Sequence, residues 1–196
     1  MKVVAITGPM RSGTSLVAQV VHRLGYAVAP YIPAPAPPGW RSDWEDADLS
    51  TKLMLGRTPR WDAYITRRKR QAAALGFAGV AIKSPYLSLH LGAVRSRADI
   101  LIVTTRDQWD RRDSLARCIE AYKLDLRSTV ADADEIEGAQ GVAQAAADAV
   151  ISYEGAVAHP VELVEQLAAL LGVESEDTKA AAAALVGEPC PQSSLR

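Results

Sequence analysis

The chain has 196 residues, 48% hydrophobic and 23% charged; that balance excludes wholesale disorder, and the length suits one domain burying roughly 70% of its unfolded surface without disulfide staples. The net charge of −1 hides an asymmetry, because residues 1–100 hold 14 Lys and Arg against 6 Asp and Glu while residues 101–196 hold 8 against 17. No apolar run approaches the ~20 residues that span a bilayer, no stretch reads as a secretory leader, and Cys118 and Cys190 form no metal-ligand spacing, so the expectation is a single domain, 1–196, in a reducing, cytoplasmic setting.

Short apolar runs alternate with helical patterns. The run KVVAIT, residues 2–7, is rich in β-branched residues and stops at Gly8, so it reads as a buried strand. From residue 13 to 24, Leu16, Val17, Val20, Val21 and Leu24 line one face of a helix, and Gly25 ends it. Residues 26–29 read as a second strand. Residues 30–39 hold five prolines and a glycine and read as a loop. The stretches 44–55 and 61–75 read as helices. A short strand over 80–83 ends at Ser84-Pro85, and ILIVTT, residues 100–105, is the clearest buried strand. Helices follow over 108–124 and, on propensity, over 132–148. A last strand over 149–152 precedes a helix over 160–171, begun by Pro160 and stopped by Gly172, and a terminal helix over 174–185. Strands alternating with helices predict an α/β fold with a central, mainly parallel sheet flanked by helices.

The sharpest motif is Gly8-Pro9-Met10-Arg11-Ser12-Gly13-Thr14-Ser15, set between a strand and a helix. Its frame is that of a phosphate-binding loop, G-x-x-x-x-G-K-[ST], whose backbone N–H groups and helix N-terminus attract an anion. Thr14 stands where nucleoside triphosphatases carry lysine, which argues against ATP or GTP hydrolysis, and Arg11 supplies a cation instead. A plain glycine turn is the simpler alternative. Arg106 leaves the carboxyl end of the 100–105 strand and Ser114 follows eight residues later on a helix. An arginine fork and a hydroxyl at such a strand end suit a phosphate, although an arginine paired with Asp107 or Asp110 would have the same pattern.

These residues resemble those of the PAPS-dependent sulfotransferases, in a compact bacterial or phage-type form. Arg11-Ser12-Gly13-Thr14-Ser15 is similar to the family's P-[KR]-S-G-T-[ST] loop, with Met10 inserted after Pro9. Arg106, Asp107, Asp110 and Ser114 match its R-D-P-x-D-x-x-x-S pattern, with Gln108 replacing proline. Tyr153, Glu154, Pro160, Leu171 and Gly172 match a third, weaker segment that reads as architectural, so the likeness runs from Ile6 to Gly172.

The resemblance implies a three-layer fold like that of P-loop NTPases. It implies a sulfuryl group moved from PAPS (3′-phosphoadenosine 5′-phosphosulfate) to a hydroxyl or amine of a small-molecule or carbohydrate acceptor, leaving PAP, with no metal. It assigns Arg11, Ser12, Gly13, Thr14 and Ser15 to the 5′-phosphosulfate, and Arg106 and Ser114 to the 3′-phosphate. Lys83, in the strand end Ile82-Lys83-Ser84-Pro85, resembles a second cation beside the transferred group; a surface lysine is its alternative. Glu45, in a segment similar to G-[YW]-x-E, is the candidate base; Asp43, Asp46 and His90 are substitutes, and a carboxylate that merely suits a helix N-terminus is the plain reading. Residues 30–76 fall on the acceptor side, and 174–196 form the terminal helix and tail. The basic stretch from Arg57 to Arg70 reads as a solvated helix face or an anionic-acceptor contact. No nucleic-acid or membrane partner is expected, and oligomeric state is left open. A small-metabolite or nucleotide kinase and a non-catalytic nucleotide- or nucleic-acid-binding protein are the competing readings.

Overall fold

A computed structural model describes residues 1–28, 47–57 and 59–187. The first strand, β1 (Lys2–Thr7), feeds α1 (Thr14–Arg23) and β2 (Tyr26–Val28). Then come α2 (Ala47–Met54), α3 (Trp61–Ala74) and β3 (Gly79–Lys83). A 3-10 turn (Pro85–His90), α4 (Leu91–Arg95) and β4 (Ile100–Thr105) follow. The chain continues through α5 (Gln108–Tyr122), α6 (Leu126–Gly138), α7 (Gln140–Ala145) and β5 (Ala149–Ser152). It closes with α8 (Tyr153–Ala158), α9 (Pro160–Leu171) and α10 (Glu176–Gly187).

The five strands form one all-parallel sheet in the order β2-β3-β1-β4-β5. Alternation along a strand sends neighbouring side chains to opposite faces. Val4 and Ile6 of β1 therefore pack with α1, α9 and α10 through Val17, Val21, Leu167 and Ala182. Val3 and Ala5 pack on the other face with Leu49 and Leu53 of α2, Trp61 and Ile65 of α3, and Ile136 of α6. Both faces are covered, so β1 and β4 are buried along nearly their whole length, as continuous apolar strands require. At the amino edge of the sheet, carboxylates complete the ladder. Asp99 Oδ2 accepts from the Val3 N–H at 2.7 Å, and Asp148 Oδ2 accepts from the Leu101 N–H at 2.7 Å.

At the carboxyl edge, the chain leaving β1 turns toward β2 while the chain leaving β4 turns toward β5. Connections that diverge in this way open a crevice between the two strand ends. Besides the 3-10 turn and α4, which the sequence pattern does not place, two further regions depart from the sequence-based expectation. The 126–145 region divides into α6 and α7 with the break at Ala139, since it lacks the apolar bulk to anchor one continuous helix. A short helix, α8, begins straight after β5, where Ser152 Oγ accepts from the Gly155 N–H at 3.2 Å and caps it. The proline-rich segment, Asp43, Glu45 and Asp46, and the tail beyond Gly187 lie outside the described residues.

Candidate functional site

The loop after β1 occupies the crevice. Gly8 has φ +150° and Gly13 has φ +90°, and a side chain at either would collide with its surroundings. At Gly8 a Cβ would meet the Thr104 backbone carbonyl; at Gly13 it would come within 2.6 Å of the Tyr153 ring. Glycine is thus required at both positions. Gly13 is the N-cap of α1 and offers no capping side chain, so none of the first-turn N–H groups is capped from that position. Arg11 is left-handed at φ 67°, a conformation costly for a non-glycine residue and frequent at functional sites.

Ser12, which the resemblance assigns to the 5′-phosphosulfate, is engaged within the protein. Its N–H donates to the Pro9 carbonyl at 3.1 Å, and its fully buried hydroxyl lies 2.6 Å from Thr104 Oγ1. Both polar groups are spent closing the loop onto β4. Ser12 therefore helps to build the loop, and Gly13 follows it as the N-cap of α1.

The second anchor meets the first. Arg11 Nε donates to Ser114 Oγ at 3.1 Å, across 103 residues of sequence. Arg106 Nη1 donates to the Arg11 carbonyl at 3.3 Å, and the Arg106 guanidinium lies 4.4 Å from the centre of the Tyr153 ring. Asp107 does not pair with Arg106 as the simpler reading allowed. Its carboxylate accepts from the Trp109 and Asp110 N–H groups and caps α5. Arg106 Nε is buried and has no hydrogen-bond partner among the described residues. An orphaned guanidinium N–H of this kind is costly unless an acceptor arrives.

Lys83 is no surface lysine: it is 2% exposed, and its Nζ donates to Ser15 Oγ at 3.2 Å. Parallel pairing of β3 with β1 places Lys83 opposite Ile6, beside the start of the loop. Thr7 Oγ1 donates to the Ser84 and Pro85 carbonyls at 3.0 and 3.2 Å and fixes the exit of β3. Ser50 of α2 donates to Ser84 Oγ at 2.8 Å and brings α2 against the same rim. His90 is engaged elsewhere, with Nε2 donating to the Leu53 carbonyl at 3.4 Å. His22 is half-buried, and burial, opposed by its bond to the Tyr26 carbonyl and aided by Arg23, lowers its pKa.

Two participants were not singled out as site residues from the sequence. Tyr153 lies between Gly13 and Arg106 and touches both, while Glu154 accepts from the Asp107 N–H at 3.0 Å and the Ser152 hydroxyl at 2.9 Å. Burial disfavours the Glu154 carboxylate, but the Asp107 and Glu154 N–H groups, the Ser152 hydroxyl and the Arg106 charge outweigh it and hold its pKa below the usual glutamate value. Tyr86 Oη donates to Asp132 Oδ2 at 2.8 Å, tying the 3-10 turn to α6. The Glu154–Asp107 and Tyr86–Asp132 contacts leave no local sequence signal, because each joins residues from different elements.

The crevice thus gathers Arg11, Lys83 and Arg106, the hydroxyls of Ser15 and Ser114, and the uncapped end of α1, a set that suits a ligand with more than one anionic group. Among the described residues, no three or more His, Cys, Asp and Glu side chains converge in a metal-binding group, and no helix is long and apolar enough to cross a membrane. The chain matches no known protein-family model and no curated protein.

Proposed function

We propose that the chain is a sulfotransferase, using PAPS as donor and a hydroxyl or amine of a small-molecule or carbohydrate acceptor. The observation that carries this reading is the junction of two anchors distant in sequence, Arg11 bonded to Ser114 and Arg106 bonded to the Arg11 carbonyl, around an unsatisfied Arg106 Nε. A donor with phosphates at both its 5′ and 3′ positions fits such a site: the loop side suits one group, and the orphaned guanidinium N–H suits the other. The strand order, with the anion loop on the central strand, supports the finer reading of a P-loop-type fold.

In this reading the Gly13–Ser15 N–H groups and Arg11 hold the 5′-phosphate, Lys83 supplies charge beside the transferred group, and Arg106 with Ser114 holds the 3′-phosphate. The acceptor oxygen or nitrogen forms a bond to sulfur while the bond from sulfur to the 5′-phosphate oxygen breaks. That electron pair stays with the departing phosphate, where each preorganised donor is worth about 3–4 kcal/mol. The acceptor's proton passes to a general base. The resemblance assigns Glu45 that role, and Glu45→Gln then lowers turnover while PAP affinity holds; unchanged turnover removes Glu45 from it.

A kinase fits less well, because Thr14 offers a hydroxyl in place of lysine, and Lys83 and Arg106 occupy strand ends where a magnesium-binding carboxylate would be useful. Calorimetry with PAP and with ATP plus Mg²⁺ separates the two readings. The expected result is tight PAP binding; tight ATP binding without PAP binding overturns the sulfotransferase.

A further inference from the structure

Outside the crevice, the strongest unexplained feature is the charge of α3 and the turn before it. Between residues 49 and 98 the single acid is Asp62, whereas the stretch from Lys52 to Arg70 carries Lys52, Arg57, Arg60, Arg67, Arg68, Lys69 and Arg70. Asp62 is already engaged by Arg97 Nε at 2.9 Å. The side chains of Arg57, Arg60, Lys69 and Arg70 have no ion-pair or hydrogen-bond partner among the described residues, and Arg67 rests on the Tyr64 ring with its guanidinium 5.8 Å from the ring centre.

The fold offers no reason for these charges. Arg60 is the N-cap of α3, where a small polar residue is favoured and the helix dipole repels a cation. Like charges along one helix lower its stability slightly. Arg60, Arg67 and Arg70 are all exposed, and their spacing of seven and three residues puts them along one face. From Arg60 to Arg70 that face runs about 15 Å, at 1.5 Å per residue.

The stripe also points somewhere. Parallel β2 and β3 require α3 to run against the strands, so its first residues lie at the carboxyl edge of the sheet. Trp61 there joins the same buried cluster as Met10 of the loop and Tyr86. The cations therefore begin beside the crevice and lead away from it.

We propose that this stripe is the docking track of an extended anionic polysaccharide, bearing carboxylate or sulfate groups, whose hydroxyls it delivers to the crevice. The inference rests on the sulfotransferase reading, in which a polysaccharide hydroxyl is the acceptor. Charge complementarity selects a polyanion. Trp61 is 4% exposed and the Tyr64 ring lies beneath Arg67, so neither aromatic offers the open stacking platform that single-stranded nucleic acid uses. Between the cations of that face Ala63 and Thr66 are small, and the exposed Met54, Leu55 and Leu75 lie beyond its two ends, so the stripe carries no continuous apolar face to insert into a bilayer.

The test is fluorescence anisotropy of labelled dextran sulfate with the full chain, with uncharged dextran, single-stranded DNA of matched charge and phosphatidylcholine–phosphatidylserine vesicles as competitors. Saturable, salt-sensitive binding is expected, weakened roughly tenfold or more by Arg67→Glu/Arg70→Glu. Arg112→Glu/Arg117→Glu, equal in charge change but on the exposed face of α5, is expected to leave it within about twofold. Arg67→Gln/Arg70→Gln gives the same direction if the reversal impairs folding. No binding, an equal loss in the α5 variant, or competition by DNA or vesicles as strong as by unlabelled dextran sulfate overturns the proposal. PAP affinity, measured on the same proteins, separates the two claims. A stripe effect without PAP binding sinks the sulfotransferase reading and the delivery of hydroxyls with it, whereas PAP binding with no stripe effect sinks the track alone.

Discussion

Arg11 stores strain where the proposed chemistry needs a cation. Its left-handed backbone, at φ 67°, turns the loop so that its carbonyl meets Arg106 and its side chain meets Ser114. Removing the other side of that junction discriminates between ligands. Arg106→Ala is expected to weaken PAP binding at least about tenfold, in the range for a lost charge-assisted hydrogen bond. Adenosine 5′-phosphosulfate lacks the 3′-phosphate, so its affinity should change little. Equal weakening of both ligands in calorimetry would contradict the role given to Arg106. Gly13→Ala tests the loop itself. The added methyl meets both a φ of +90° and the Tyr153 ring, so a loss of about 2 kcal/mol or more in denaturant stability is expected, together with loss of PAP binding.

At the scale of elements, caps and carboxylates hold the strand ends in register. Asp107 caps α5 and thereby fixes the helix that presents Ser114. Asp107→Ala should cost about 1 kcal/mol, the usual worth of an N-cap, and a melting-temperature shift would report it. Its effect on PAP affinity should be smaller than that of Arg106→Ala, because the Asp107 carboxylate accepts from the Trp109 and Asp110 N–H groups rather than from Arg11 or Ser114. Asp148 does the corresponding work at the amino edge, where it receives the Leu101 N–H and a two-bond fork from Arg95 at 2.7 and 2.9 Å. Asp148→Ala would leave the Leu101 N–H without its carboxylate. A loss of about 1–3 kcal/mol is expected for an unpaired N–H in a fully buried residue.

At the scale of the whole molecule, pH acts on the same groups. Burial disfavours the Asp148 carboxylate, but the Leu101 N–H and the Arg95 guanidinium outweigh it and lower its pKa; Glu154 is lowered in the same sense. A depressed folded-state pKa stabilises the fold fully above the unfolded carboxylate range, near about 4, and the stabilisation is lost as pH falls through the folded value. Melting temperature should therefore drop on acidification, and Asp148→Asn should flatten that drop. An unchanged acid slope in Asp148→Asn would show that this carboxylate does not contribute.

The strands β1 and β4 and the helix α1 were legible because periodicity and terminal glycines are local signals: β1 and β4 begin and end where their apolar runs do. The loop was equally legible, since two glycines, an arginine and hydroxyls at fixed spacing are a local pattern. What the sequence by itself determined, then, was the alternation of elements, the glycine, arginine and hydroxyl spacing of residues 8–15 and the uneven distribution of charge. Only the tertiary structure decided the strand order, the burial of Lys83, the use of both Ser12 polar groups in closing the loop, and the meeting of Arg11 with Ser114. Each of these joins residues dozens of positions apart, and long-range pairing follows from how the two faces of the sheet are covered, which no local spacing encodes.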